Sequence, residues 1–187
     1  MPLFFSDEEY AIVKAACARL IPTDQDPGAT EAGVVDYIDG FLGAFSTDPP
    51  RIWARGPFSG RHGGGAAAFI TFHVLTPLDE LAWRTRIEGS RGIPEREWNG
   101  PVKGLQERYR DGIAELGTDF VGVIPDEQDA RLKKARDFTA LLYEHACEGM
   151  YGAPEYGGNQ NLVGWHYIGF EGDVQPRGYT DEEVSQP

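Results

Sequence analysis

Between Ser6 and about Met150 the large apolar residues return every three or four positions, and after Tyr151 they no longer do. A step of three or four lines one face of an α-helix, whereas a half-buried strand needs strict alternation. The chain is therefore expected to be mainly α. The change at Tyr151 divides it into a helical body, about 6–150, and a tail, about 151–187. Residues 1–187 read as a single domain, an irregular helical bundle with an extended C-terminal tail rich in glycine and aromatic residues.

Ser6-Asp7-Glu8-Glu9 announces the first helix. It is a capping box, in which the Ser hydroxyl and the Glu carboxylate each satisfy an amide left open at a helix start. Tyr10, Val13, Cys17, Leu20 and Ile21 form one stripe until Pro22 stops the helix. A second amphipathic helix begins near Thr30 or Glu31, carries Val34, Ile38, Phe41, Leu42 and Phe45, and ends before Asp48-Pro49-Pro50. Residues 49–66 read as an extended surface loop; its glycines have neither dinucleotide-binding nor P-loop spacing, and no strand precedes them. Leu75, Leu78, Leu81, Ala82 and Ile87 predict a further helix with Trp83 on or near its face.

The spacing of Trp98, Val102, Leu105, Tyr109, Ile113 and Leu116 predicts a helix across Pro94–Gly117, with Gly100 and Pro101 as breakers in its first turn. Thr118–Ile124 is short and apolar, but has no second strand to pair with, so it reads as a buried connector. Pro125-Asp126-Glu127-Gln128 opens the last long helix with an acidic first turn. Leu132, Ala135, Phe138, Leu141, Leu142 and His145 carry its apolar face to about Met150.

The tail interleaves Gly152, Gly157, Gly158, Gly164, Gly169 and Gly172 with Tyr151, Tyr156, Trp165, Tyr167, Phe170 and Tyr179. It is too rich in glycine to be helical throughout and too aromatic for a disordered linker. Tyr and Trp give large contact area at low entropy cost, so such a tail packs on a surface. That surface is either the chain's own helices or a partner.

Charge narrows the function. There are 17 Lys+Arg against 30 Asp+Glu, a formal net charge of −13, which argues against a broad phosphate-binding face and hence against nucleic acid. No run approaches the roughly 20 apolar residues of a membrane span, so direct membrane insertion is not expected. The opening Met1-Pro2-Leu3-Phe4-Phe5 lacks a basic n-region and a twin arginine. The expectation is then either a cytoplasmic protein or one exported with a partner or after trimming. Cys17 and Cys147 lie far apart on the first and last long helices; a bridge and two buried free thiols are both open.

No catalytic constellation emerges. His62, His73, His145 and His166 lack metal-ligand spacing, and Phe58-Ser59-Gly60 is no nucleophile elbow. His145 and Cys147, two apart on a helix, point roughly 200° from each other, which removes a Cys/His dyad. No catalytic, cofactor-binding or metal-binding residue is assigned.

The run Glu148-Gly149-Met150-Tyr151-Gly152-Ala153-Pro154-Glu155-Tyr156-Gly157-Gly158-Asn159, followed by Gly164-Trp165-His166-Tyr167-Ile168-Gly169-Phe170-Glu171-Gly172, closely resembles the signature of the gluconate 2-dehydrogenase subunit 3 family. The opening resembles it too, in Leu20-Ile21-Pro22-Thr23-Asp24 and Gly28-Ala29-Thr30-Glu31-Ala32-Gly33-Val34. The resemblance implies a non-catalytic small subunit without a cofactor of its own. It would help fold, stabilise or export a large FAD-containing catalytic subunit of the glucose-methanol-choline (GMC) type, which oxidises a sugar, sugar acid or glycoside. An iron–sulfur cluster in that partner and a cytochrome c subunit as electron acceptor stay open, and the implied compartment is the periplasm.

Within the motif, Gly157 and Gly158 would supply positive φ or close backbone approach, Asn159 would tie the turn, and Trp165 and Phe170 would be buried anchors. Tyr151, Tyr156, Gly157, Gly158, Asn159, Trp165, Ile168, Phe170 and Tyr179 are the expected partner interface. The other reading is a free-standing helical enzyme or carbohydrate-binding protein acting through Trp53, Trp83, Trp98 or Trp165 and nearby carboxylates. Three of those tryptophans sit at helix-like spacing, where core packing is the simpler role.

Overall fold

A computed structural model describes residues 1–48, 50, 52 and 75–170. Trp53, Ser59, His62, His73 and Tyr179 lie outside the described residues, as does most of the glycine-rich 49–66 loop. Seven α-helices and no strand occur among the described residues: α1 Asp7–Leu20, α2 Val34–Leu42, α3 Pro77–Glu88, α4 Leu105–Leu116, α5 Pro125–Lys134, α6 Arg136–Tyr151 and α7 Val163–Ile168.

The α1 cap forms as expected, with Ser6 accepting from the Glu9 amide and Glu9 accepting from the Ser6 amide. The segment before it is pinned to α2, where the buried Asp39 carboxylate accepts the amides of Leu3, Phe4 and Phe5 at 2.5, 3.0 and 2.9 Å. Val13, Ala16 and Cys17 of α1, Val34, Ile38 and Leu42 of α2, Tyr109 and Leu116 of α4, and Leu142, Ala146 and Met150 of α6 share one core. Gly112 lets α4 and α6 close up, since a Cβ there would stand 2.0 Å from the Phe138 ring. Cys17 is a buried free thiol, pushed up to about 12 by desolvation, and Cys147 is a partly buried free thiol.

Four sequence expectations need correction. The helix across Pro94–Gly117 exists only from Leu105. Gly100 (φ +99°) and Pro101 end the pattern early, and residues 89–104 form a loop in which Trp98 is 91% exposed. This loop is closed by the Ser90 amide donating to Val102 O at 3.0 Å and the Val102 amide donating to Ser90 Oγ at 2.8 Å. The second helix starts at Val34 rather than near Thr30, because Gly33 before it is left-handed (φ +64°). The 118–124 connector buries only Phe120; Val121 and Ile124 face outward.

The last long helix is two, α5 and α6, broken at Ala135 (ψ +55°). The break turns Leu132 and Phe138 both inward, and the Thr139 hydroxyl donates to the Leu132 carbonyl at 2.7 Å. No glycine or proline marks that break in the sequence, so periodicity ran straight through it.

Candidate partner interface

The glycine-rich tail turns back at the end of α6 and crosses the helical body. Its turn is tied by Asn159, which is fully buried. The Asn159 backbone amide donates to Gly149 O at 2.7 Å and its Nδ2 donates to Gly152 O at 3.0 Å. Its Oδ1 accepts the amides of Gly164 at 3.0 Å and Trp165 at 3.4 Å, at the start of α7. One side chain therefore joins the end of α6 to the start of α7, and satisfies groups that would otherwise be buried without partners.

The glycines have distinct reasons. Gly157 is left-handed (φ +99°), and a Cβ on Gly158 would stand 2.2 Å from Gly149 O. The turn is also strained, with Asn159, Asn161 and Leu162 all at positive φ. Such backbone costs about 1–3 kcal/mol per residue and persists only where the surroundings over-determine it. Those surroundings include the turn before α2, where the Gln160 amide donates to Ala32 O at 3.0 Å, and α2 itself, where Gln160 Nε2 donates to Asp36 Oδ2 at 2.8 Å.

Trp165 lies under this turn, with Nε1 donating to Tyr151 O at 2.7 Å. Of the two anchors expected from sequence, it alone is buried. Phe170 is 41% exposed, its ring edge-on to Trp165 at 4.8 Å. Beyond Trp165 the chain turns outward: Tyr167 is 53% and Ile168 55% exposed. Beside them runs an α6 stripe at i, i+4 and i+8, Tyr143, Cys147 and Tyr151, with Tyr143 52% exposed. The groups are close enough to act on one another. The Cys147 thiol raises the Tyr143 hydroxyl, while burial first, and then Tyr167 and Cys147, raises that of Tyr151.

Of the residues expected at an interface, then, Gly158, Asn159 and Trp165 are buried in the chain's own fold, and Tyr151, Tyr156 and Gly157 are half-buried. Ile168 and Phe170 are open to solvent. Tyr143 and Tyr167 are exposed aromatics as well, the first on the α6 stripe that leads to Tyr151 and the second near Tyr151 itself. The helical step from Tyr143 to Tyr151 is the signal for the first of these, but only the position of α7 shows that Tyr167 stands near Tyr151.

A second feature lies on the inner side of the motif. A cleft of 330 Å³ is lined by Tyr37, Phe41, Trp83, Arg86, Glu148 and Tyr156, among others. Phe41 stacks on Tyr37 and meets Trp83 edge-on, both at 6.0 Å, and the Tyr37 hydroxyl donates to Glu148 Oε2 at 2.7 Å. No group of three or more metal-ligating side chains occurs among the described residues. His145 is buried against Tyr109, and His166 is exposed on α7.

Comparison with curated proteins and with solved structures returns no match. Comparison with protein families returns one described as gluconate 2-dehydrogenase subunit 3, whose model matches residues 7–172. That span runs from the capped start of α1 through the tied turn to the aromatic face, and the chain belongs to the gluconate 2-dehydrogenase subunit 3 family.

Proposed function

We propose that this chain is the non-catalytic small subunit of an FAD-dependent dehydrogenase complex that oxidises a sugar, sugar acid or glycoside. Family membership supplies the coarse statement, a subunit of a dehydrogenase complex. The observation that supports the finer one is the exposed group of Tyr167, Ile168 and Phe170 beyond a turn tied by Asn159, with Tyr143 exposed on the α6 stripe that leads to Tyr151. Rigid aromatic side chains presented together are the residues that dominate protein interfaces, because little entropy is lost when they are covered. The large GMC-type flavoprotein covers this face, gaining stability or export competence in the periplasm, and electrons leave through the flavoprotein to a cytochrome c or another acceptor. No redox step runs through this chain.

Co-expression of the tagged chain with the large subunit encoded beside it, followed by size-exclusion chromatography read for protein and flavin absorbance, tests this reading. Co-elution with flavin and sugar-dependent dye reduction, both lost when the small chain is omitted, is the expected result. Separate elution with a fully active large subunit would refute it. A second reading, carbohydrate binding by the isolated chain, draws on the cleft beside Trp83, where aromatic rings and the Arg86 and Glu148 side chains could hold a pyranose. Saturable sugar binding by the purified chain would favour it.

A further inference from the structure

The 330 Å³ cleft beside Trp83 is lined by four aromatic rings, one acid and one base. Its volume is at the small end of ligand sites, which run from about 300 to 1,000 Å³, and so suits a ligand of one ring rather than a dinucleotide. The rings are in place before any ligand arrives. Tyr37 and Phe41 stand one turn apart on α2 and stack, Phe41 meets Trp83 of α3 edge-on, and all three are half-buried against the core. Gly149 of the motif leaves space for the first of them, since a Cβ there would stand 3.0 Å from the Tyr37 ring. Such a wall loses little freedom when it is covered.

The polar groups gather about one point. The Tyr37 hydroxyl donates to Glu148 Oε2 at 2.7 Å, and Arg86 and Tyr156 are near enough to act on its ionisation. The Arg86 guanidinium stands 5.4 Å from the Trp83 ring. Among the described residues Arg86 has no ion pair and no hydrogen bond from its side chain, and the Glu148 carboxylate has the Tyr37 hydroxyl alone. Two opposite charges therefore line one cleft without neutralising each other. The side chains of Phe41, Ile52 and Ala153 supply nothing polar, and the Gly152 amide and carbonyl are already engaged by Glu148 O and Asn159 Nδ2.

We infer that this cleft binds a free α-amino acid with a large apolar side chain, its ammonium against Glu148, its carboxylate against Arg86 and its side chain against Phe41, Trp83 and Ile52. A guanidinium fork matches a carboxylate, and a carboxylate accepts from an ammonium, so a zwitterion satisfies both charges at once. A pyranose carries hydroxyls all round its ring; it leaves both charges unneutralised and turns some of those hydroxyls toward an apolar wall. The inference rests on neither the exposed aromatics beyond Trp165 nor the complex, and it competes with the carbohydrate reading for the same cleft.

The test is calorimetric titration of the full chain at low ionic strength with L-phenylalanine and L-leucine. Beside them run 3-phenylpropanoate and 2-phenylethylamine, which each lack one of the two charged groups, and methyl glucoside. At least one of the two amino acids is expected to bind saturably below about 10 mM. Loss of either charged group should weaken binding about tenfold or more. Glu148→Gln keeps an acceptor for the Tyr37 hydroxyl but not the charge, and should weaken amino-acid binding by a similar factor. Arg86→Gln should remove the preference for L-phenylalanine over 2-phenylethylamine, a change that a merely structural effect does not produce. Both side chains are exposed, so each variant should keep the ligand-free melting temperature of the parent. No binding of either amino acid up to about 10 mM, equal binding of the singly charged analogues, or an unaltered preference in Arg86→Gln would overturn the inference. Saturable binding of methyl glucoside alone would also overturn it, in favour of the carbohydrate reading.

Discussion

The residues up to Trp165 and those just after it belong to one continuous motif, yet the two stretches stand in opposite surroundings. Asn159 and Trp165 are sealed inside, holding the end of α6, the turn and α7 together through five hydrogen bonds from backbone or side chain. Tyr167, Ile168 and Phe170 spend their apolar surface on solvent. The difference teaches that the motif combines two tasks that a sequence string cannot separate. One stretch fixes the backbone, and the other is displayed by it. Variants in the first should act on stability, and those in the second on assembly.

The largest effect should come from Trp165→Ala. Removing a buried indole costs about 3–5 kcal/mol, so calorimetry of the isolated chain should show a melting temperature lower by roughly 10 °C. An unchanged value would erase the contrast at its strongest point.

Next is the pH dependence set by His145. Burial first, with Arg86 and Arg108 also lowering it and Glu144 raising it, brings its pKa from 6.5 down to about 4. The unfolded chain therefore takes up the proton before the folded one does. Stability from this group is full above about pH 6.5, declines as the pH falls, and is gone below about pH 4, a loss of about 3 kcal/mol. His145→Phe should flatten the dependence of melting temperature on pH between those limits; an unaltered slope would contradict the placement.

Asn159→Ala follows. It leaves Gly152 O and the Gly164 amide short of partners, for a loss of about 2–3 kcal/mol in chemical denaturation. Smallest in stability is the pair Tyr167→Ala and Phe170→Ala, the first within about 0.5 kcal/mol of the parent and the second within about 1 kcal/mol because of its edge-on contact with Trp165. The same two changes should weaken capture of the large subunit by about tenfold or more, measured by titration of the co-purified partners. Equal effects of all these variants on stability would dissolve the distinction between the two stretches.

Much of this was legible in the sequence for definite reasons. The α1 cap, the stripes of α1 and α2, the mainly α class and the glycine roles at Gly157 and Gly158 follow from local chemistry. What escaped was decided by contacts remote in sequence. The break at Ala135 carries no breaker residue and is held by Thr139 and by the two inward-facing side chains around it. Trp98 sits at helical spacing from Val102 and Leu105, but Gly100 and Pro101 prevail and turn the ring to solvent. Phe170 and Tyr167 look alike as members of an aromatic series with Trp165. Only the fold of the turn shows that Trp165 is under it and the others beyond it.

The most direct test of the account is a side-by-side co-purification of the large subunit with three forms of this chain. They are the parent, a Tyr143→Ala/Tyr167→Ala/Phe170→Ala variant, and Asn159→Ala. The account predicts that the triple variant keeps its melting temperature yet loses the flavin-bearing complex, while Asn159→Ala loses stability. A stable triple variant that still elutes with the large subunit in full yield would contradict the assignment of the aromatic face.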